Sequence, residues 1–138
     1  MVYSVILDQL ATAQINLLTA QINCALINDS YIPSQNHTSY NDILAYQIIA
    51  TNYSPGGKPL LNKTLNNGRF DADDIQWDNM QPSPKPKYAI IYNNSPVNNN
   101  DKTLIACYNL TNDKINTIDS TDFIIRWNIL GILNLAIE

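Results

Sequence analysis

The chain has 138 residues, of which 45% are hydrophobic and only 14% are charged, with a net charge of −4 and a pI of about 4.7. This length and hydrophobic content predict one domain, residues 1–138, with a proper core, and they exclude a disordered chain. The eight Lys and Arg are scattered along an acidic sequence. The composition therefore argues against nucleic-acid binding.

The start of the chain lacks a positively charged leader and reaches Asp8 and Gln9 early, so we expect no secretory signal. No apolar run approaches the roughly twenty residues that span a membrane. Cys24 and Cys107 each stand beside an alanine in an apolar segment, which indicates two buried thiols. The sequence leaves a disulfide between them open, although no spacing suggests one. Because His37 is the only histidine, we expect no structural zinc and no other cofactor.

The N-terminal segment, residues 1–20, is predicted to be helical. Ile6, Leu10, Ala13 and Leu17 recur at the spacing of one helical stripe within residues 2–18. The opposite face is polar but carries no Lys or Arg, so the stripe is expected to pack on a sheet rather than on a membrane. The same stripe could reach into a neighbouring subunit, and the sequence leaves both arrangements open.

Residues 21–138 read mainly as β-strands separated by turn residues. Predicted strands cover residues 22–27, 60–65, 68–77, 87–93 and 103–110, with a hairpin at Asn66-Asn67-Gly68 and polar loops at residues 78–86, 93–101 and 111–120. Ser39 and Asp42 have nearly the spacing of a helix capping box, so residues 40–48 favour a short helix followed by a strand, or else an extended run. The pattern predicts an antiparallel β-sandwich or barrel with an N-terminal α-helix.

The terminal stretch, residues 121–137, is predicted to be the strand around which the others are organised. Phe123, Ile125, Trp127 and Ile129 alternate onto one apolar face, whereas the other face carries polar residues. Such a pattern is typical of a strand with one face in a core and the other partly solvated. A turn or kink is expected at Gly131.

Two groups of residues invite a chemical interpretation. Asp71, Asp73 and Asp74 could hold a hard cation, but they lack the spacing of a calcium loop, and a solvated strand corner explains them as well. His37 has Asp42 nearby, yet proximity in sequence is not triad geometry, and a loop histidine usually bridges or lies on the surface. The sequence contains no nucleophile elbow, phosphate loop or dinucleotide fingerprint. We therefore expect no enzymatic activity.

Aromatic residues offer a candidate interaction surface. Tyr31, Tyr40, Tyr53 and Trp77 could form a platform for sugars or for another protein, because such side chains combine a large apolar area with a polar tip. They could equally close the two ends of the sandwich. The sequence leaves these two interpretations open.

Five blocks along the chain together resemble a known family. They are residues 15–27, the turn YSPGGKPL at 53–60, FDADDIQW at 70–77, KYAIIY at 87–92 and FIIRWNILG at 123–131. In this order they resemble small virion structural proteins of tailed bacteriophages, over residues 15 to 137.

That resemblance implies a location in the phage particle, and in the host cytoplasm during assembly, with no catalytic residues. It implies the major capsid protein or other virion proteins as partners, and a homo-oligomer on the particle. The first expectation is a capsid decoration (cement) protein that bridges capsid subunits. The alternatives are a tail, connector or fibre-base protein and, in a different class, a carbohydrate-binding module that stacks Trp77 on host glycans.

Overall fold

The structure is a computed structural model that describes residues 1–80, 85–95, 102–111, 116–119 and 122–135. Within these residues one helix, α1 (Ser4–Ala11), is followed by strands that are mostly short. They are β1 (Ile22–Ile27), β2 (Lys58–Pro59), β3 (Thr64–Asn66), β4 (Arg69–Asp71), β5 (Ile75–Trp77), β6 (Tyr88–Asn93), β7 (Leu104–Asn109), β8 (Asn116–Asp119), β9 (Asp122–Ile125) and β10 (Leu133–Asn134). The prediction of a mainly β fold with an N-terminal helix is confirmed.

The strands form three antiparallel sheets. The central sheet has the order β2-β1-β6-β7, and two smaller sheets have the orders β10-β4-β3 and β5-β9-β8. β1 and β6 pair along their whole length, from Ile22 opposite Asn93 to Ile27 opposite Tyr88. Every residue of these two strands is buried. A strand that is covered on both faces needs a continuous apolar run, and both strands have one.

Side-chain alternation divides the core into two layers, one on each face of the central sheet. The larger layer joins Cys24, Leu26, Ala89 and Ile91 to Phe70, Trp77, Phe123 and Leu133 of the small sheets, and to Ile6 of α1. The smaller layer joins Ala25, Ile27, Ile90 and Tyr92 to Tyr3, Tyr31 and Ile43. The small sheets therefore cover one face of the central sheet, and Tyr3, Tyr31 and Ile43 cover the other.

The outer edge of β7 is covered by the start of the chain. The Tyr3 N–H donates to the Ile105 carbonyl, at 3.1 Å, and Val2 forms a bridge with Ala106. A second bridge joins Ser39 to Thr103 further along the same edge. These contacts satisfy backbone groups that an uncovered edge strand would leave open.

The helix is shorter than predicted, because it ends at Ala11 rather than near residue 18 or 20. Ala13 has a φ of 55°, a left-handed conformation that a helix cannot contain. The side-chain oxygen of Asn16 then accepts the N–H groups of Leu18 and Thr19. Such local bonds compete with helical ones. Leu17 is buried as expected, but from an irregular segment.

The predicted terminal strand is wrong in its middle. β9 ends at Ile125, β10 spans only two residues, and Ile129 between them is 88% exposed instead of facing the core. The Leu130 N–H donates to the side chain of Asn128, and Gly131 has a φ of 86°, so this segment turns away from the sheet. Residues 121 and 136–137 of this prediction lie outside the described residues.

The Asn-Gly hairpin is confirmed between β3 and β4, with a φ of 50° at Asn67 and of 77° at Gly68. The strand predicted over residues 68–77 is split into β4 and β5, which lie in different sheets. Residues 40–48 form two 3-10 turns, Tyr40–Asp42 and Leu44–Tyr46, rather than a helix. β8 occupies a segment predicted as a polar connection. The loops predicted at 78–86 and 93–101 lie partly outside the described residues, at 81–84 and 96–101.

Gly57 lies so close to β1 that no residue with a side chain fits there. A Cβ atom at this position would lie 1.7 Å from the Cys24 carbonyl oxygen, and the backbone has a φ of 73°. Gly57→Ala is therefore expected to lower the free energy of unfolding by about 3 kcal/mol or more, because both the clash and the strain must be relieved. Urea unfolding measures this loss.

The matched control is Ser54→Ala, an exposed position in the same turn. Equal stability of the two variants would contradict the packing of Gly57 against β1.

Candidate functional site

The aromatic residues predicted as an interface are mostly interior. Trp77 is 1% exposed, Tyr31 2% and Tyr53 9%, whereas Tyr40 is half-buried. A side chain this deeply buried cannot stack on a sugar or cover a partner's surface. The burial of Trp77, Tyr31 and Tyr53 therefore contradicts an interface role for these three and fits the second interpretation, closure of the fold. For Tyr40 the interface role stays a prediction.

Tyr31 is the centre of a buried hydrogen-bonded chain. Its hydroxyl lies 3.0 Å from the Tyr3 hydroxyl and 2.7 Å from His37 Nδ1. Burial raises the pKa of Tyr31 to about 12, and burial also raises the pKa of Tyr3. Both phenols are therefore neutral at physiological pH. The chain ties the loop containing His37 to the N-terminal segment, so His37 acts as a bridging residue.

Gln47 organises a second polar cluster beside the turn at residues 54–57. Its side-chain oxygen accepts the Tyr53 hydroxyl at 2.9 Å and the Gly56 N–H at 2.6 Å, while its amide donates to the Tyr40 hydroxyl. The Tyr92 hydroxyl donates to the Gly56 carbonyl at 2.7 Å. Burial raises the pKa values of Tyr53 and Tyr92. This cluster fastens the turn onto the central sheet.

The carboxylates of the acidic cluster Asp71, Asp73 and Asp74 form hydrogen bonds within the fold. Asp71 accepts the Ala72 N–H, Asp73 accepts the side-chain amide of Asn62 at 2.6 Å, and Asp74 accepts the Trp127 N–H at 3.0 Å. These contacts shape the short link between β4 and β5 and hold the segment after β9. Among the residues that the structure describes, no group of three or more potential ligands is placed to hold a metal ion.

An open groove of about 340 Å³ lies between the edges of β2 and β5, with Asp73, Asp74 and Leu61 among its lining residues. Both strand edges beside it are blunted. Pro59 on β2 has no N–H to donate, and the Lys58 side chain donates to the Gln76 carbonyl of β5 at 2.6 Å. An extended peptide would find few free backbone partners here. The groove therefore offers little to a peptide that would bind by adding a strand.

The surface of the described residues carries large apolar side chains whose exposure the sequence did not predict. Those at least half exposed are Leu7, Ile32, Leu44, Ile49, Leu61, Ile129 and Leu130. Ile129 and Leu130 occupy the turn that ends at Gly131, and an Asn followed three residues later by a Gly is a turn signal that could have placed them outside. Positions such as Ile49, which is 94% exposed, had no comparable signal.

Comparison with known proteins identifies no relative: no family model matches the chain, and no curated protein or solved structure is similar to it. In the described ranges no helix has the length and apolarity needed to cross a bilayer.

The carboxylate of Asp42 accepts two backbone N–H groups from its own loop. Partial burial opposes its ionised form, but the N–H groups of Thr38 and Ser39, at 2.9 and 3.1 Å, and the nearby His37 outweigh that effect, so the pKa of Asp42 is lowered. Asp42→Asn is expected to cost about 1 kcal/mol of stability at neutral pH, because an amide is a weaker acceptor for these donors.

The pH dependence follows from the direction of that shift. A lowered pKa stabilises the fold above the unfolded-state value of about 3.9, and this stabilisation is lost as pH falls through the folded-state pKa. Urea unfolding should therefore show the gap between variant and wild type closing below about pH 4. Asp29→Asn, at an exposed position, is the control. A gap that stays constant with pH would contradict this role.

Removal of the Tyr31 hydroxyl tests the buried chain. Tyr31→Phe leaves the Tyr3 hydroxyl and His37 Nδ1 without this shared partner, and we expect a loss of about 1–3 kcal/mol in the free energy of unfolding. Tyr46→Phe is the matched control, since its half-buried ring packs beside Tyr31 at 5.5 Å. Thermal unfolding of both variants decides the matter, and an unchanged midpoint for Tyr31→Phe would rule out a stabilising chain.

Proposed function

We propose that this chain is a structural protein of a tailed-bacteriophage particle, and specifically a capsid decoration protein that bridges neighbouring capsid subunits. The proposal starts from the five sequence blocks between residues 15 and 137, whose order resembles that of the virion family described above. A decoration protein needs a rigid core and a surface that another protein can cover, and it needs no reactive centre.

The observation that carries the proposal is the exposure of large aliphatic side chains on a surface with few charges. Ile32 is 81% exposed, Ile49 94% and Ile129 88%. Covering such a side chain contributes roughly 1.5–3 kcal/mol, which is the free energy that a partner would gain at each of them. On a particle the same modest contact is repeated many times, and the repetition strengthens the whole shell by avidity.

The placement of the reactive groups supports a structural rather than a catalytic role. The thiols of Cys24 and Cys107 are both buried, and burial raises the pKa of Cys24. The buried phenols of Tyr3, Tyr31 and Tyr53 are engaged in hydrogen bonds that join segments of the fold. None of these groups combines nucleophilic character with access from solvent.

The alternatives draw different support. A glycan-binding module that stacks on Trp77 finds none, because this ring is buried between Tyr53 and Phe123, each with its ring centroid at 6.2 Å. A tail, connector or fibre-base protein would use the same kind of apolar contact as a decoration protein. Copy number separates these two, because a connector occurs as one ring whereas a decoration protein covers the shell.

The test is the stoichiometry of the protein in purified particles, measured by quantitative mass spectrometry. We expect a copy number close to that of the major capsid protein, and particles without the protein should lose their contents at a lower temperature. Absence from mature particles would overturn the whole proposal, and a single ring of copies would overturn the decoration role.

A variant sharpens this experiment. Ile129→Lys places a charge at an apolar contact and should reduce occupancy on the particle if that turn faces the capsid, whereas Asp29→Asn should not. Folding of both variants is checked by thermal unfolding before particles are prepared, so that a loss of occupancy reports on the contact. If lysine variants at Ile32, Ile49 and Ile129 all occupied the particle fully, the exposed isoleucines would not be the contacts and the proposal would lose its main support.

A further inference from the structure

Among the strands that the structure describes, β3 is an outer strand of its sheet, and its one partner there is β4. All three of its residues are exposed, and Leu65 at its centre is 47% exposed. The Phe70 carbonyl, opposite Leu65, accepts the Ile132 N–H at 2.8 Å and so points toward β10. In an antiparallel pair the N–H and C=O of one residue point to the same side. The Leu65 N–H and C=O therefore point away from β4, toward the outer side of β3 in the plane of the sheet.

Three of the other outer strands, β7, β2 and β5, are protected. β7 is covered by the start of the chain and by Ser39, β2 carries Pro59, and the Lys58 side chain occupies the Gln76 carbonyl of β5. β3 is short, but it contains no proline and no charged residue, two of the devices that prevent edge pairing. Lys63, just before it, turns inward and donates to the Ala20 carbonyl.

We propose that β3 pairs in antiparallel fashion with β3 of a second copy of this chain, around a two-fold axis at Leu65. This register sets Leu65 opposite the partner subunit's Leu65, and Thr64 opposite the partner subunit's Asn66. It also sets Lys63 opposite the partner subunit's Asn67, so no two like charges face each other across the axis. The contact is isologous, and it joins the two three-stranded sheets into one of six strands.

The second copy is the occupant that fits this edge best because the pairing is self-complementary. Leu65 lies on the same sheet face as Phe70, which is fully buried, since directly paired residues share a face. Pairing of the two leucines therefore extends an apolar face that already exists. A contact of three residues per chain is small, so the dimer is weak in isolation, with a Kd on the order of 100 µM, and becomes useful where many copies are held close together.

Disulfide trapping tests the register directly. Leu65→Cys is expected to form a covalent dimer under mild oxidation at about 100 µM protein, because residues directly opposite in an antiparallel pair have Cα atoms about 5.5 Å apart, within disulfide range. Ile49→Cys is the control, since this side chain is 94% exposed but lies outside β3. The native thiols are both buried, so the introduced cysteine dominates the readout on a non-reducing gel.

A proline variant tests the backbone contact without disturbing the hairpin. Leu65→Pro removes an N–H that does not bond to β4, so the monomer should keep its thermal midpoint while losing self-association in sedimentation equilibrium. Thr64→Pro, which removes an N–H that faces β4, should instead lower the midpoint. Equal trapping of Leu65→Cys and Ile49→Cys, or self-association of Leu65→Pro equal to that of the wild type, would overturn the proposal. These measurements use the isolated chain, so their outcome is independent of the particle stoichiometry.

Discussion

The ladder between β1 and β6 is the interaction on which the rest of the structure depends. Twelve residues in six direct pairs form a two-stranded centre whose side chains are buried on both faces. The small sheets are built from strands of two to four residues, which are too short to be stable by themselves. They are held because they cover one face of that ladder, while Tyr31 and Ile43 cover the other. Polar chemistry in this fold mainly fastens loops to these two layers.

The sequence predicted three of the four strands of the central sheet because they are coded locally, but it placed a strand at residues 60–65 rather than β2. β1, β6 and β7 were each placed to within one residue, since a continuous apolar run has few other places to go. The Asn67-Gly68 hairpin is likewise a local signal. The helix and the terminal strand were over-extended for the opposite reason: apolar spacing continues past Ala11 and Ile125, but left-handed backbone at Ala13 and the turn at Gly131 break it. Periodicity predicts which residues share a face of an element, but it does not predict where the backbone turns.

The candidate site was less predictable because its contacts join distant parts of the chain. Tyr31 finds Tyr3 from 28 residues away, and Tyr53 finds the Leu26 N–H from 27 residues away. A tyrosine in a predicted loop could equally have faced solvent, because its burial depends on tertiary contacts. The exposed isoleucines could not be predicted either, because their hydrophobic character alone predicts burial. Only Asn128 and Gly131, as turn residues, marked one of them in advance.

The short link between β4 and β5 has a consequence for how the chain acquires its structure. Trp127 bonds to Asp74 in that link across 53 residues of sequence, and both β4 and β5 pair with strands that follow β7. During translation the ladder between β1 and β6 can form before β9 and β10, the partners of β5 and β4, have been synthesised. Non-local pairing of this kind slows folding and leaves strand edges open to misassembly. Ribosome pausing before β9 would therefore prolong an aggregation-prone intermediate, even though the finished ladder is already in place.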